Sequence, residues 1–263
     1  MNAAPSHSPR IHFVSEGRGP LVVLSHALGC NLSMWDEVAD ILKQRFTVLR
    51  YDHRGHGQSE APAGPYSIDL LADDAAALIK SQTSEPVHFV GLSMGGMTAQ
   101  SLAARYPALV RSITVANSAH YYNEAARAMW QARIATVLAH DVAAVADGAI
   151  QRWFTPEFRA DAQGAARVAV IRQRLESVAS APYAASCAAV ASMDFRASNP
   201  SIRCPTLVIA GTRDEATPVA LSEAIVSSIP GATLATLDAS HISAVEQPAG
   251  FAALLEDFFA SQA

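Results

Sequence analysis

The chain has 263 residues, half of them hydrophobic, enough for one large α/β core with a small insertion. Its net charge of -5, with 19 basic and 24 acidic residues interspersed rather than clustered, argues against a nucleic-acid-binding face or a polybasic membrane surface and for a small-molecule partner. The opening Met1 to Arg10 is polar and Pro/Ser-rich without an apolar signal core, and no run approaches the roughly 18 apolar residues of a membrane span, so a cytoplasmic protein is expected.

Short apolar runs alternate with segments of helical period. Strands are predicted at Leu21 to Ser25, Phe46 to Tyr51, Val87 to Val90 and Val110 to Val115. Helices are predicted at Met34 to Lys43, Ile68 to Lys80, and from Ser93 to near Tyr106-Pro107. This βαβα order implies a mostly parallel sheet covered on both faces. From about Ala119 to Asn199 no strand-like run occurs. The stretch is Ala-rich, with Met129, Trp130, Ile134, Val137 and Leu138 in helical register and breaks expected at Gly148 and Thr155-Pro156. It reads as a helical cap, residues 119–199, inserted into a core made of residues 1–118 and 200–263. The alternation resumes with a strand Thr206 to Ala210, a helix Val219 to Ser228, a strand Thr233 to Leu237 and a helix from Gln247 or Pro248 to Phe259. No internal repeat is present.

The strand Val87 to Val90 runs into Gly91-Leu92-Ser93-Met94-Gly95-Gly96, a G-x-S-x-G pentapeptide followed by Met97, Leu102 and Ala103 at helical spacing. A serine on a sharp strand-to-helix turn projects its hydroxyl, and glycines two positions either side permit close backbone approach. Ser93 is the candidate nucleophile. In a parallel sheet the partners should follow later strands at the carboxyl edge. Asp214 follows Thr206 to Ala210 and His241 follows Thr233 to Leu237, so the order is Ser, Asp, His. His241 is assigned as the general base and Asp214 as the group that orients its imidazole. His88 within a strand, His120 and His140 in the inserted stretch, Asp238 before its turn and Glu215 beside Asp214 are weaker candidates. An acid placed after the preceding strand would fall near Asn117, which carries no charge.

The oxyanion requires two N–H donors, one after the nucleophile and one in the loop after Leu21 to Ser25, and Met94 and Leu28 are the candidates. His26 reads as a core-facing residue. Asp52-His53-Arg54-Gly55-His56-Gly57 reads as a rigid loop bonded to its own backbone rather than as a metal site, because the chain offers no further ligands at suitable spacing. Cys30, Cys187 and Cys204 contain no C-x-x-C pair and are expected to be buried free thiols. No metal and no cofactor are called for.

With these residues placed, the chain resembles the α/β-hydrolase fold family and, over nearly its whole length, the 3-oxoadipate enol-lactonases. The matching segments are Arg50-Tyr51-Asp52, Arg54-Gly55-His56-Gly57-Gln58-Ser59, Gly64-Pro65-Tyr66-Ser67-Ile68, Gly91 to Met97, Arg152-Trp153-Phe154-Thr155-Pro156, Tyr183-Ala184-Ala185-Ser186-Cys187 and Ala239 to Pro248. It departs from that family at Ala27, where serine or glycine is expected, and at Arg213-Asp214-Glu215. The resemblance implies hydrolysis of a small lactone through an acyl-enzyme on Ser93. It also implies a substrate carboxylate, for which Arg133 and Arg152 are candidate partners, with Trp130 and Trp153 as apolar wall. Acyclic esters and carbon–carbon bonds of ring-cleavage products are alternative substrates, and a slow-turnover binding protein on the same scaffold is an alternative of another class. Oligomeric state is left open, a homo-oligomer included.

Overall fold

The computed structural model describes residues 9–262, so most of the polar opening segment lies outside the described residues. Seven strands form one sheet: β1 (Phe13–Gly17), β2 (Leu21–Ser25), β3 (Thr47–Tyr51), β4 (Val87–Leu92), β5 (Val110–Ala116), β6 (Thr206–Gly211) and β7 (Thr233–Leu237). Their spatial order is β1-β3-β2-β4-β5-β6-β7, with β1 antiparallel to β3 and every other pairing parallel. The helices of the core are α1 (Asp36–Leu42), α2 (Ile68–Gln82) and α3 (Met94–Arg105), then, after the insertion, α9 (Val219–Ser228), α10 (Ser243–Glu246) and α11 (Pro248–Ala260).

Alternation along the strands divides the core in two. Val22, Leu24, Val48, Val90 and Ile209 join one buried cluster with α1 and α11, while Val23, Leu49, Phe89, Val115 and Val208 join the other with α2, α3 and α9. β4 is buried along its whole length, as a central parallel strand must be. β1 escapes the sequence reading because Phe13-Val14-Ser15-Glu16-Gly17 is short, half polar and half exposed; it becomes a strand by pairing with β3 in the register Phe13↔Tyr51 to Gly17↔Thr47.

Five helices lie between β5 and β6: α4 (Glu124–His140), α5 (Ala143–Trp153), α6 (Pro156–Ala160), α7 (Ala162–Glu176) and α8 (Ser180–Ser192). An isolated bridge between Tyr121 and Asp194 ties the two ends of this inserted segment together. Thr155 does end one helix and cap the next, its hydroxyl accepting from Phe158 N. Gly148, expected to break a helix, lies inside α5. A lone exposed glycine costs about 1 kcal/mol there, less than the burial of Ala146, Ala149, Ile150 and Trp153 on the same helix returns. Met129 and Leu138 are in register on α4 but solvent-exposed, so only Val137 of that set is fully buried. Cys30 and Cys187 are buried free thiols pushed up to about 12 by desolvation, whereas Cys204 is only half-buried. Among the described residues no helix is long and apolar enough to cross a membrane.

Candidate active site

Ser93 links β4 to α3 with φ 56° and ψ -113°, a conformation that L residues avoid and that the surroundings enforce. The flanking glycines are steric requirements. A Cβ on Gly91 would lie 1.9 Å from Gly95 O, and one on Gly95 would lie 2.1 Å from Ser25 O at the end of β2. The backbone of Ser93 is held on both sides, its N–H donating to Ala116 O at 2.9 Å and its carbonyl accepting from Met97 N at 3.0 Å and Ser118 Oγ at 2.8 Å.

His241 Nδ1 lies 2.9 Å from Asp214 Oδ2, both side chains buried. The carboxylate is surrounded by donors: Ala216 N and Thr217 N each at 2.8 Å on Oδ1, and Thr217 Oγ1 at 2.6 Å and Asn117 Nδ2 at 3.0 Å on Oδ2. Burial alone would raise this carboxyl, but the charge and hydrogen bond of His241 and the bonds from Thr217 outweigh it and hold the group at about 2. Asp214 is therefore an anion that directs the Nδ1 proton toward itself and leaves Nε2 as the basic nitrogen.

The sheet sets a spacing problem. Ser93 follows β4 and His241 follows β7, three strand intervals or roughly 14 Å apart. The loop bearing His241 spans most of that distance. It crosses β6 over Gly211, where a Cβ would meet Ala239 O at 2.5 Å and Ser240 O at 2.6 Å, and it reaches the end of β5, where Asn117 Nδ2 donates to Ser240 O at 3.3 Å. Asn117 itself takes φ 45° and accepts from Ser243 Oγ at 2.6 Å. The position that carries no acid thus braces both Asp214 and the histidine loop. The hydrogen bonds of His241 among the described residues run to Asp214 and Thr217, and none joins it to Ser93.

The two candidate oxyanion donors share one design. In a trans peptide the C=O and the next N–H point in opposite directions. Ala27 O accepts from Cys30 N at 3.1 Å and from His26 Nδ1 at 2.8 Å, which turns Leu28 N–H the other way. Ser93 O is anchored as described, which turns Met94 N–H outward at the N-terminus of α3, where the helix dipole favours a negative charge.

His26 in the oxyanion loop and His56 in the neighbouring loop support this arrangement, a role the sequence reading missed. His26 donates from Nδ1 and accepts His53 N–H at Nε2, 2.9 Å. His56 faces Arg54 O with Nδ1 and accepts Gly29 N–H at Nε2, 3.1 Å. Both therefore use both ring nitrogens and hold no lone pair for a metal. Burial lowers His26, and burial with the repulsion between the His26 and His56 rings when both are protonated lowers His56 to about 3. Asp52 accepts from Leu32 N at 2.7 Å, Gln58 N at 2.9 Å and His12 Nδ1 at 2.9 Å, and Arg54 makes a buried two-pronged pair with Asp74 at 2.6 and 2.7 Å. The loop is thus bonded both to its own backbone, through Arg54 O and Gln58 N, and to other segments, through Gly29, Leu32, His12 and Asp74.

Above the oxyanion loop stands a wall from the inserted segment. A Cβ on Gly29 would meet Leu175 Cδ1 at 2.5 Å, Tyr183 Cε2 at 3.2 Å and Trp153 Cη2 at 3.5 Å. Arg133 lies over the rings of Trp130, 5.6 Å, and Tyr183, 5.7 Å, and its Nε and Nη2 are buried with no partner among the described residues. Tyr183 OH and Ser186 Oγ are likewise buried and unpartnered, and neither was singled out for the pocket from sequence. Arg152 is exposed; partial desolvation and the nearby Arg133 charge lower its pKa. Of the four candidate pocket residues, Trp130, Arg133 and Trp153 belong to this wall, while Arg152 stands at its margin.

A family profile described as the alpha/beta hydrolase fold matches residues 20–248. The chain is 40% identical over 232 residues to 3-oxoadipate enol-lactonase 2 of Acinetobacter baylyi, covering 88% of this chain and 85% of that one. It superposes on the crystal structure of the enol-lactonase from Burkholderia xenovorans with a TM-score of 0.92 at 35% identity, over 98% of this chain and 99% of that one. It also superposes on a malate-bound thermophilic esterase from Thermogutta terrifontis with a TM-score of 0.91 at 25% identity, over 98% and 96%. With its elbow, its parallel sheet and these relatives taken together, the chain belongs to the α/β-hydrolase family and resembles the 3-oxoadipate enol-lactonases.

Proposed function

We propose that the protein is a serine hydrolase that opens a small carboxylate-bearing lactone of the 3-oxoadipate enol-lactone type. The observation that carries this reading is the buried His241–Asp214 pair at 2.9 Å, on the carboxyl edge of the sheet that also bears the Ser93 elbow. His241 removes the Ser93 proton as Oγ attacks the lactone carbonyl, and the oxyanion forms between Leu28 N–H and Met94 N–H. The ring C–O bond then breaks. The departing enolate takes the proton held by His241 and tautomerises to a ketone, leaving the acyl chain on Ser93. Water, deprotonated by His241, releases the acid and restores the serine.

Arg133, charged and short of partners, suits the substrate carboxylate, with Trp130 and Trp153 flanking the apolar part of the ring. The likeness to the Thermogutta esterase supports acyclic esters as a second substrate class. The test is mass measurement after treatment with a serine-reactive phosphonate. A single adduct on Ser93 is expected, absent in Ser93→Ala, with enol-lactone turnover reduced at least about a thousandfold in that variant. Labelling at another residue, or undiminished turnover in Ser93→Ala, rejects the reading; turnover of acyclic esters but not of the enol-lactone selects the second class.

A further inference from the structure

Glu246 is a buried carboxylate with no part in the mechanism above, and all its bonds lead to the two residues on which the histidine loop and the inserted segment meet. Its Oε1 accepts from Thr155 N and Thr155 Oγ1, each at 2.7 Å, and its Oε2 accepts from Ser240 N, the residue before His241. Two further bonds join the same partners. Ser240 Oγ donates to Arg152 O at 2.9 Å, and Ile242 N, on the other side of His241, donates to Trp153 O at 3.1 Å. The turn Arg152 to Thr155 therefore grips the chain immediately before and after the histidine. That turn also carries Trp153, whose ring packs against the oxyanion loop beside Gly29.

We propose that Glu246 is a positioning residue for His241: it locks the histidine loop to the inserted helical segment, so that the base and the substrate wall at Trp153 are set as one unit. The inference rests on Ser93, Asp214 and His241 acting as the triad. A carboxylate is needed because three donors converge on two oxygens. An amide offers one acceptor oxygen and turns its own N–H groups toward Ser240 N–H or the Thr155 donors. A shift of the histidine by about 1 Å is enough to cost on the order of a hundredfold in rate.

The experiment measures the rate constant for labelling by a fluorophosphonate in the wild type, Ser93→Ala, Glu246→Gln and Thr155→Val, each well below its own melting temperature, with the downfield proton resonance of His241 Nδ1 recorded in parallel. Labelling of the wild type and not of Ser93→Ala establishes Ser93 as the nucleophile independently of Glu246; labelling that persists in Ser93→Ala removes the triad reading. Given labelling at Ser93, we expect Glu246→Gln to slow it about tenfold to a hundredfold and to shift or broaden the Nδ1 resonance. Thr155→Val, which loses one of the three donors to Glu246 together with the cap on Phe158 N, should fall between in labelling rate, and it carries the test if Glu246→Gln does not fold. A lowered melting temperature with labelling within about twofold of wild type and an unmoved resonance, in whichever variants fold, overturns the proposal and leaves Glu246 a structural residue.

Discussion

Gly29 N–H donates to His56 Nε2 at 3.1 Å, one residue beyond the peptide that presents Leu28 N–H. The bond requires a neutral imidazole, because a proton on Nε2 would set N–H against N–H. Burial and the repulsion that a protonated His56 would meet from a protonated His26, opposed by Arg54 O and the Asp52 carboxylate, bring His56 down to about 3.

Acid stability follows with a definite sign. His56 is lowered on folding, so the unfolded chain takes up the proton first as pH falls below about 6.5, and stability drains away between there and about pH 3, by roughly 1.4 kcal/mol per pH unit for this group. His26 and His53, also lowered by burial, add to the slope. Melting curves from pH 7 to pH 4 should show a steady fall, shallower in His56→Gln; equal slopes in both proteins would refute the assignment.

Asp214→Asn is expected to reduce turnover by about three to four orders of magnitude with little change in fold. The amide can present N–H to His241 Nδ1 and favour the wrong tautomer. Asp214 also contributes stability present above the unfolded carboxylate range near 4 and lost as pH falls through about 2. Steady-state kinetics beside a circular-dichroism melt separate the two effects, and activity near wild type in the variant would contradict the role given to Asp214.

Arg133→Leu tests the carboxylate subsite. For a lactone bearing a carboxylate, kcat/KM should fall about a hundredfold, because a buried charge loses its partner. A neutral ester of similar size should be affected little. Equal losses on both substrates would assign Arg133 to packing against Trp130 and Tyr183 instead.

Two glycines should respond with opposite sign. Gly95→Ala sets a methyl 2.1 Å from Ser25 O and should destabilise the protein by about 3 kcal/mol or prevent folding. Gly148→Ala, inside α5 with nothing within 4 Å of the new methyl, should stabilise by up to about 1 kcal/mol. Denaturant midpoints decide both, and a Gly95→Ala protein as stable as wild type would show that the elbow tolerates expansion.

The amino-acid sequence alone determined the alternation of strands and helices, the bounds of α9 and β7, the elbow at Ser93 and the order in which Asp214 and His241 follow later strands. Each of these is written locally, in periods of two or 3.6 residues and in short turn motifs. Only the tertiary structure decided that Phe13–Gly17 is a strand, that Met129 and Leu138 face solvent, that Asn117 braces the acid, that His26 and His56 hold the oxyanion loop, and that Glu246 meets Thr155 across 91 residues of chain. Those facts depend on which buried donor lies opposite which acceptor once the sheet has closed. A hydrogen bond between residues distant in the chain leaves no period or spacing from which it could be read.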